Sequence, residues 1–399
     1  MNEQHRLSEI VTGQPLSLVK GLRRQSEFPE IHRFQQALRV AADYVNEHPA
    51  YDHFAAALLV PQLTHLGSKL PVLSTVRGVA ERIEALWKGP GPGSDAVVYE
   101  LVVAAACAER GRNIEFMKPT SDKSPDLRCH DPYPLVIECK RKRVLSDYEI
   151  AEEAVMNRLF RILDDGARSK GLCGRFTLDL AVEAETVPIG DVVASLLRQR
   201  FAAHPERSIT YAWGSVSYQE LPRRLILPGQ TRAYSPNMLS FAFGWNSDLP
   251  NWDGLICRVE CAGAAWIDEV EQPVALLWSN KSQQAVKKRS WSPIDAFGEA
   301  TSQIPPGEFG IIYVAYQEGT REHIADLRTE SFRDRVREWS HPGSIRIPIA
   351  FLTRLYPRAL DHGTPDLIEN GVRFCSELDG APLLFEDFPT TVFSHPREE

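Results

Sequence analysis

The chain has 399 residues, of which 43% are hydrophobic and 25% are charged, and its formal net charge is -8 at pH 7. This composition excludes wholesale disorder, and the length predicts two or three structural units, because single cores stop growing at roughly 250–300 residues. The acidic balance argues against simple non-specific binding of nucleic acid, which requires an excess of lysine and arginine. It remains compatible with a carboxylate site in which a metal ion bridges to a phosphate.

Residues 1–92 are predicted to form a helical N-terminal region. A polar lead, MNEQHRLSEI onward, precedes helices predicted at 51–66 and 74–87, where apolar residues recur at three- and four-residue steps. The segment KGPGPGSD at 88–95 ends this region, because its prolines and glycines do not continue a helix.

Residues 93–205 are predicted to form the core. The largely apolar helix AVVYELVVAAACAERG ends at Gly111, a residue type common at helix C-termini. Strands are predicted at 113–117, 126–130, 135–140 and 176–183. The strand at 135–140, LVIECK, is apolar enough to lie in the middle of a sheet.

Residues 206–399 are predicted to form an additional C-terminal α/β region that carries recognition or partner binding. Strands are predicted there at 209–218, 239–245, 255–260, 274–278, 309–316 and 345–352, and helices at 293–303 and 331–339.

No stretch of the sequence predicts secretion or membrane insertion. The first ten residues are polar, and no run reaches the roughly 18 apolar residues that a membrane span requires. The seven cysteines lack CxxC pairs, so we expect buried reduced thiols rather than a zinc site. The sequence therefore predicts a cytoplasmic protein without a membrane partner.

An unusual combination of polar residues falls on the strand at 135–140. Glu138 and Lys140 alternate along an apolar strand and so share one face, where burying both is costly unless a cation or substrate meets them. A turn at 131–134 would fold Asp126 back beside Glu138. Two adjacent carboxylates raise each other's pKa, and a divalent cation relieves the repulsion. Because the ligands are hard oxygens, Mg²⁺ or Mn²⁺ is the predicted ion.

Further residues extend this predicted site. Glu100, on the preceding helix, is expected to reach the metal directly or through water, and the Cys139 carbonyl is a further candidate ligand. Lys140 is expected to position the attacking water or stabilise charge on the phosphate. A basic run is a candidate nucleic-acid contact, with a solvated strand end as the alternative. Its members are Lys140, Arg141, Lys142 and Arg143.

This pattern resembles the PD-(D/E)xK nuclease superfamily, the restriction-endonuclease-like proteins. The resemblance is carried by Glu100 in YELVVAAACAERG, Pro125-Asp126 in SPDLRC, and Glu138-x-Lys140 in VIECKRK. It implies an α/β fold with a mixed sheet flanked by helices in the order αβββαβ, within 95–183. It further implies an Mg²⁺-dependent endonuclease that hydrolyses DNA, with a role in bacterial defence or restriction as an analogy.

Several alternatives stay open at this point. The last core elements lie either in 147–183 or, after a large insertion, in 293–316, which would make Gln303 a candidate site residue. The protein is alternatively a catalytically quiet interaction protein of this fold, or a metal-dependent hydrolase of another phosphate ester. RNA is an alternative substrate to DNA, and a partner protein or a second copy of the chain is a further expected partner.

Overall fold

The protein is described by a computed structural model over most of its length. The described residues are 33–46, 51, 53–87, 93–118, 124–131, 133–142, 147–198, 209–233, 235–244, 253–257, 266–290, 292–318, 322–339, 346–359, 364–375 and 387–393. Arg143 of the basic run and Cys261, one of the seven cysteines, lie outside this part of the chain.

The described residues form α-helices and β-strands that alternate irregularly. The helices are α1 Arg33–Val45, α2 His53–Leu73, α3 Val79–Ala85, α4 Gly93–Glu109, α5 Asp147–Lys170, α6 Ile189–Arg198, α7 Pro236–Phe243, α8 Gln283–Ser290, α9 Ser292–Thr301 and α10 Glu322–Trp339. The strands are β1 Ile114–Phe116, β2 Leu127–Cys129, β3 Leu135–Lys142, β4 Gly174–Leu180, β5 Ile209–Tyr211, β6 Gly214–Glu220, β7 Arg224–Arg232, β8 Asp253–Ile256, β9 Trp266–Glu271, β10 Val274–Asn280, β11 Phe309–Gln317, β12 Arg346–Ala359 and β13 Pro365–Cys375.

A six-stranded mixed sheet in the order β1-β2-β3-β11-β12-β13 carries the predicted site. Strands β1, β2 and β3 pair antiparallel, β11 lies parallel to both β3 and β12, and β13 closes the edge antiparallel to β12. Helices α2 and α4 pack on one face, while α9 and α10 pack on the other. Because both faces are covered, the central strands are apolar almost throughout.

A second sheet lies between β3 and β11 in the sequence. Its order is β5-β6-β4-β10-β8, with β4 and β10 parallel, and β7 and β9 form a separate two-stranded ribbon. Helices α5, α6 and α7 pack into the apolar cluster on this sheet. The molecule is therefore an α/β protein in which mixed sheets are flanked by helices.

The sheet pairing decides between the two placements of the last core elements. The strand predicted at 176–183 is real but belongs to the second sheet, so the expectation that 95–183 contains the whole six-element core is wrong. The strand beside β3 is β11, preceded by α9, as in the alternative at 293–316. The predicted domain boundary at 205 stays a prediction, although the six-stranded sheet takes strands from both sides of it.

The predicted strand at 239–245 is wrong, because residues 239–243 belong to α7. Ser235 begins the helix by accepting a hydrogen bond from the Met238 N–H at 3.2 Å, and Pro236 occupies the first turn. Gly244 ends it with a positive φ of 60°. The spacing of the apolar residues alone does not distinguish a helix from a strand in this segment. The capping residues on either side of the apolar run favour the helix.

The predicted helices at 51–66 and 74–87 differ from those observed. Helix α2 continues to Leu73 with Pro61 and Pro71 inside it, and α3 begins only at Val79. Burial of most of α2 in the core offsets the hydrogen bonds that the prolines cannot donate.

Two further findings concern membrane insertion and the cysteines. Of the helices that the structure describes, none is long and apolar enough to cross a membrane. The six described cysteines are free thiols, five of them buried and Cys375 exposed.

A buried ion pair connects the two sheets. Glu152 on α5 accepts hydrogen bonds from Trp278 Nε1 and Asn280 Nδ2, both at 3.1 Å, and pairs with Arg289 on α8. The Arg289 carbonyl in turn accepts a 2.7 Å hydrogen bond from Arg328 on α10. Because Glu152 and Arg289 are both almost fully buried, water cannot solvate either charged group if the other is removed.

We expect Glu152→Ala to lower the free energy of unfolding by about 3–5 kcal/mol, because Arg289 would lose its buried partner and keep only the longer contact with Asp253 at 3.6 Å. Urea denaturation measures the change. Glu153→Ala, one residue along on the exposed side of the same helix, is the matched control and should change stability by less than about 0.5 kcal/mol. Equal effects of the two substitutions would contradict the assigned pairing.

Candidate functional site

Asp126 and Glu138 lie on the same face of the six-stranded sheet. Leu127 on β2 is directly opposite Ile137 on β3, so the next position along puts Asp126 opposite Glu138. The Cys139 N–H donates a 2.9 Å hydrogen bond to Asp126 Oδ2 and fixes that carboxylate at the end of β2. The predicted approach of the two carboxyl groups is therefore present.

Glu100 approaches the same point from α4, and a single guanidinium lies between it and Asp126. Arg82 Nη1 is 3.3 Å from Glu100 Oε2, and Arg82 Nη2 is 3.6 Å from Asp126 Oδ1. Arg82 belongs to α3 and its side chain is only 17% exposed. Glu100 and Asp126 thus share one arginine.

Lys140 completes this cluster on the β3 side. Its Nζ lies 2.6 Å from Glu138 Oε1, while the Glu138 side chain is only 1% exposed and that of Lys140 is 20% exposed. Burial acts to lower the pKa of Lys140, but Glu138 and Asp126 more than offset it, so the pKa is raised. The ammonium group is therefore held charged at the opening of the cluster.

The three carboxyl groups have raised pKa values. Burial is the main cause for each, and Asp126 adds repulsion that raises the pKa of both Glu100 and Glu138 to about 8. Burial also raises the pKa of Asp126, against the Cys139 hydrogen bond and Arg82. Near neutral pH the cluster therefore carries less negative charge than three acids in water.

Two buried oxygens of the cluster accept no hydrogen bond. They are Oε2 of Glu100 and Oε2 of Glu138, the former in ion-pair contact with Arg82 without hydrogen-bond geometry. Buried carboxylate oxygens that accept no hydrogen bond and lie near a third acid fit a hard divalent cation such as Mg²⁺ or Mn²⁺. Within the described ranges, no three acidic, histidine or cysteine side chains already stand in a metal-holding arrangement.

The basic run divides between the two faces of β3. Lys140 and Lys142 share the face of Glu138, whereas Arg141 points to the opposite face, near Tyr99. Lys142 Nζ is 3.5 Å from Glu299 on α9. Of the four predicted contacts, Arg141 therefore lies on the opposite face of β3 from Glu138 and Lys140, and Arg143 lies outside the described residues.

Sequence reasoning missed three charged residues in this region, namely Arg82, Glu299 and Arg354. Arg82 lay in a predicted helix, and no motif marked it as functional. Glu299 could be identified only from the packing of α9 against β3. Arg354 on β12 is in register with Tyr316, which is in register with Lys142, so all three share one face. The alternation of side chains along β12 could have indicated the face on which Arg354 lies, but only if the strand order had been known.

Other predicted features do not join the cluster. Gln303 lies in the turn after α9, where its N–H donates a 3.0 Å hydrogen bond to the Ala300 carbonyl. The Cys139 backbone N–H, rather than its carbonyl, makes the contact with Asp126, and the carbonyl's role as a ligand stays a prediction.

The raised pKa values predict that the metal-free protein loses stability as the pH rises. A carboxyl group whose folded pKa is about 8 rather than its ordinary 4.5 binds its proton more tightly when folded. Its stabilising contribution is complete below pH 4.5 and is lost as the pH rises through 8. For Glu138, the total is on the order of a few kcal/mol.

We therefore expect the free energy of unfolding of wild type minus that of Glu138→Gln to fall between pH 5 and pH 9. Denaturant unfolding in a chelator measures this difference, which cancels the titration of all other groups. Glu153→Gln, which removes an exposed carboxyl group, is the control and should give a nearly constant difference. A constant difference for Glu138→Gln as well would show that its carboxyl group is not desolvated.

Comparison with known proteins gives no family assignment. No protein-family model, curated protein or solved structure matches the chain.

Proposed function

We propose that the protein is a metal-dependent nuclease that hydrolyses phosphodiester bonds, with DNA as the expected substrate. The observation that carries this proposal is the convergence of Glu100, Asp126 and Glu138 with Lys140 in one buried cluster. A purely structural role would leave three mutually repelling acids in a costly location without a function.

The residues of the cluster divide the chemistry between them. The carboxylate oxygens of Asp126, Glu138 and Glu100 would hold the ion, among them Glu138 Oε2, which accepts no hydrogen bond. Bound Mg²⁺ or Mn²⁺ supplies Lewis acidity and lowers the pKa of an attacking water. Lys140, partly exposed beside Glu138, places a positive charge where negative charge develops on the phosphate. No covalent intermediate is required.

The connectivity of the six-stranded sheet also supports the proposal. Helix α4, strands β1 to β3, helix α9 and strand β11 follow the order αβββαβ that the resemblance to PD-(D/E)xK nucleases implies. The second sheet is then a large insertion between β3 and α9. In this arrangement the Glu138-x-Lys140 strand is central, with β2 carrying Asp126 on one side and β11 on the other.

A row of polar and cationic residues beside the acids favours a nucleic-acid strand over a small phosphate ester. The cationic residues of this row are Lys142 on β3 and Arg354 on β12, both partly exposed and on the face of Glu138 and Lys140, with the buried Tyr316 of β11 between them. Lys142 is about 7 Å beyond Lys140 along β3, and Arg354 about 10 Å farther across the sheet. Cations at this spacing would contact phosphates on either side of the one being cleaved.

The proposal predicts that purified protein with Mg²⁺ or Mn²⁺ cleaves plasmid or linear DNA. Glu138→Ala and Lys140→Ala should each lower the rate by about 100-fold or more, because each removes a group required at the reacting phosphate. Gel-based cleavage with a chelator control measures this, and Glu153→Ala should cleave like wild type.

Three outcomes separate the alternatives. Wild type that cuts neither DNA nor RNA, with or without partners, would favour a catalytically quiet interaction protein. Cleavage of nucleotides or of a small phosphodiester but not of polymers would favour another phosphate-ester hydrolase. Cleavage of RNA alone would correct the substrate while leaving the site chemistry intact.

The cationic row makes a separate prediction about binding. The Glu138→Gln substitution serves as a background that blocks cleavage. In it, Lys142→Ala and Arg354→Ala should each weaken oligonucleotide binding. Each should also reduce the steepness of the plot of log binding constant against log salt concentration by about 1. Fluorescence anisotropy across a range of salt concentrations measures both effects. Arg141→Ala is the matched control, since its side chain lies on the opposite face of β3. A salt slope that Arg141→Ala changes as much as Lys142→Ala would rule out the row as the contact.

A further inference from the structure

We infer that Arg82 is an internal counter-cation that takes the place of the divalent ion in the metal-free site, so that α3 must release Arg82 before a metal is bound. The inference deepens the proposed function and rests on it, because it assumes that the same three acids hold the ion. It assigns a regulatory role to the N-terminal helical region.

The guanidinium group of Arg82 contacts two of the three acids. Arg82 reaches Glu100 at 3.3 Å with one nitrogen and Asp126 at 3.6 Å with the other, from a single mostly buried side chain. A divalent ion shared by these two acids would occupy the same space and would be repelled by the guanidinium. Arginine remains charged at any ordinary pH, so deprotonation does not resolve this competition. The side chain has to move.

The elements that carry the acids and the arginine differ in how firmly they are held. Helix α3 has only seven residues, none of them fully buried, and its N-cap is Gly78, which has no side chain to cap the helix. In contrast, α4, which carries Glu100, is buried along most of its 17 residues, and β3 lies in the centre of the sheet. Moving Arg82 therefore disrupts less packing than moving Glu100 or Glu138 would.

A neighbouring arginine provides a matched control. Arg77 lies just before α3, pairs with Glu115 at 3.0 Å, and has a side chain that is 74% exposed. It shares the charge and the segment of Arg82. However, its partner is on β1, outside the acid cluster. Any effect of general charge or of local helix stability should appear in both arginines, whereas competition with the metal should appear in Arg82 alone.

Calorimetric titration of the full chain with Mn²⁺ tests the inference without using catalysis. We expect Arg82→Gln to bind Mn²⁺ at least about tenfold more tightly than wild type, because the competing charge is absent. Arg77→Gln should bind like wild type. Arg82→Lys retains a charge on a shorter and less branched side chain and should fall between the two, which keeps the test available if Arg82→Gln does not fold.

The opposite results overturn the inference. Affinity of Arg82→Gln equal to or weaker than that of wild type would mean that Arg82 supports the site instead of competing with the ion. The inference is also overturned if neither protein binds Mn²⁺, or if Arg77→Gln tightens Mn²⁺ binding as much as Arg82→Gln does.

Hydrogen exchange provides a second readout. In wild type, Mn²⁺ should increase exchange of the α3 amides while those of α4 stay protected. Saturating Mn²⁺ that leaves the exchange of α3 unchanged would overturn the inference. Tighter metal binding by Arg82→Gln without any cleavage of nucleic acid by wild type would leave the inference standing and remove the nuclease proposal. Cleavage by wild type without tighter binding would do the reverse.

Discussion

Three carboxyl groups buried around one point need a positive charge, and the arrangement of this site depends on that requirement. Glu100 and Glu138 are removed from water, and Asp126 repels both, so their pKa values rise to about 8. Lys140 and Arg82 supply the positive charge that the described residues place against them. A site balanced in this way responds to any cation that enters or leaves it.

The fold meets this requirement by drawing each group from a different element. Strands β2 and β3 provide Asp126, Glu138 and Lys140 in antiparallel register, α4 provides Glu100, and α3 provides Arg82. The second sheet is inserted at the end of β3, and the buried pair of Glu152 and Arg289 connects it to the helices behind β11. The insertion thereby leaves β3 and β11 adjacent, although more than 150 residues separate them in the sequence.

Much of the site could be predicted from the sequence because its signals are local. Alternation along a strand puts Glu138 and Lys140 on one face, and a short turn before that strand brings Asp126 opposite Glu138. Glu100 stands out as the one acid in the apolar middle of its helix, between Asp95 and Glu109 at the two ends. The α/β class also follows from local periodicity, which identified the central strands even where it misjudged the segment that forms α7.

The tertiary structure alone decided which distant segments meet. Strand order is set by packing between elements and by the parallel pairing of β3 with β11, and no local pattern encodes which of two apolar strands takes that place. For the same reason Arg354 and Glu299 were not found from the sequence, and Arg82 carried no signal. The sequence by itself determined the acids and the lysine, since spacing within a strand fixes their faces. Their counter-cation and the neighbouring cationic row follow from long-range contacts that only the folded chain makes.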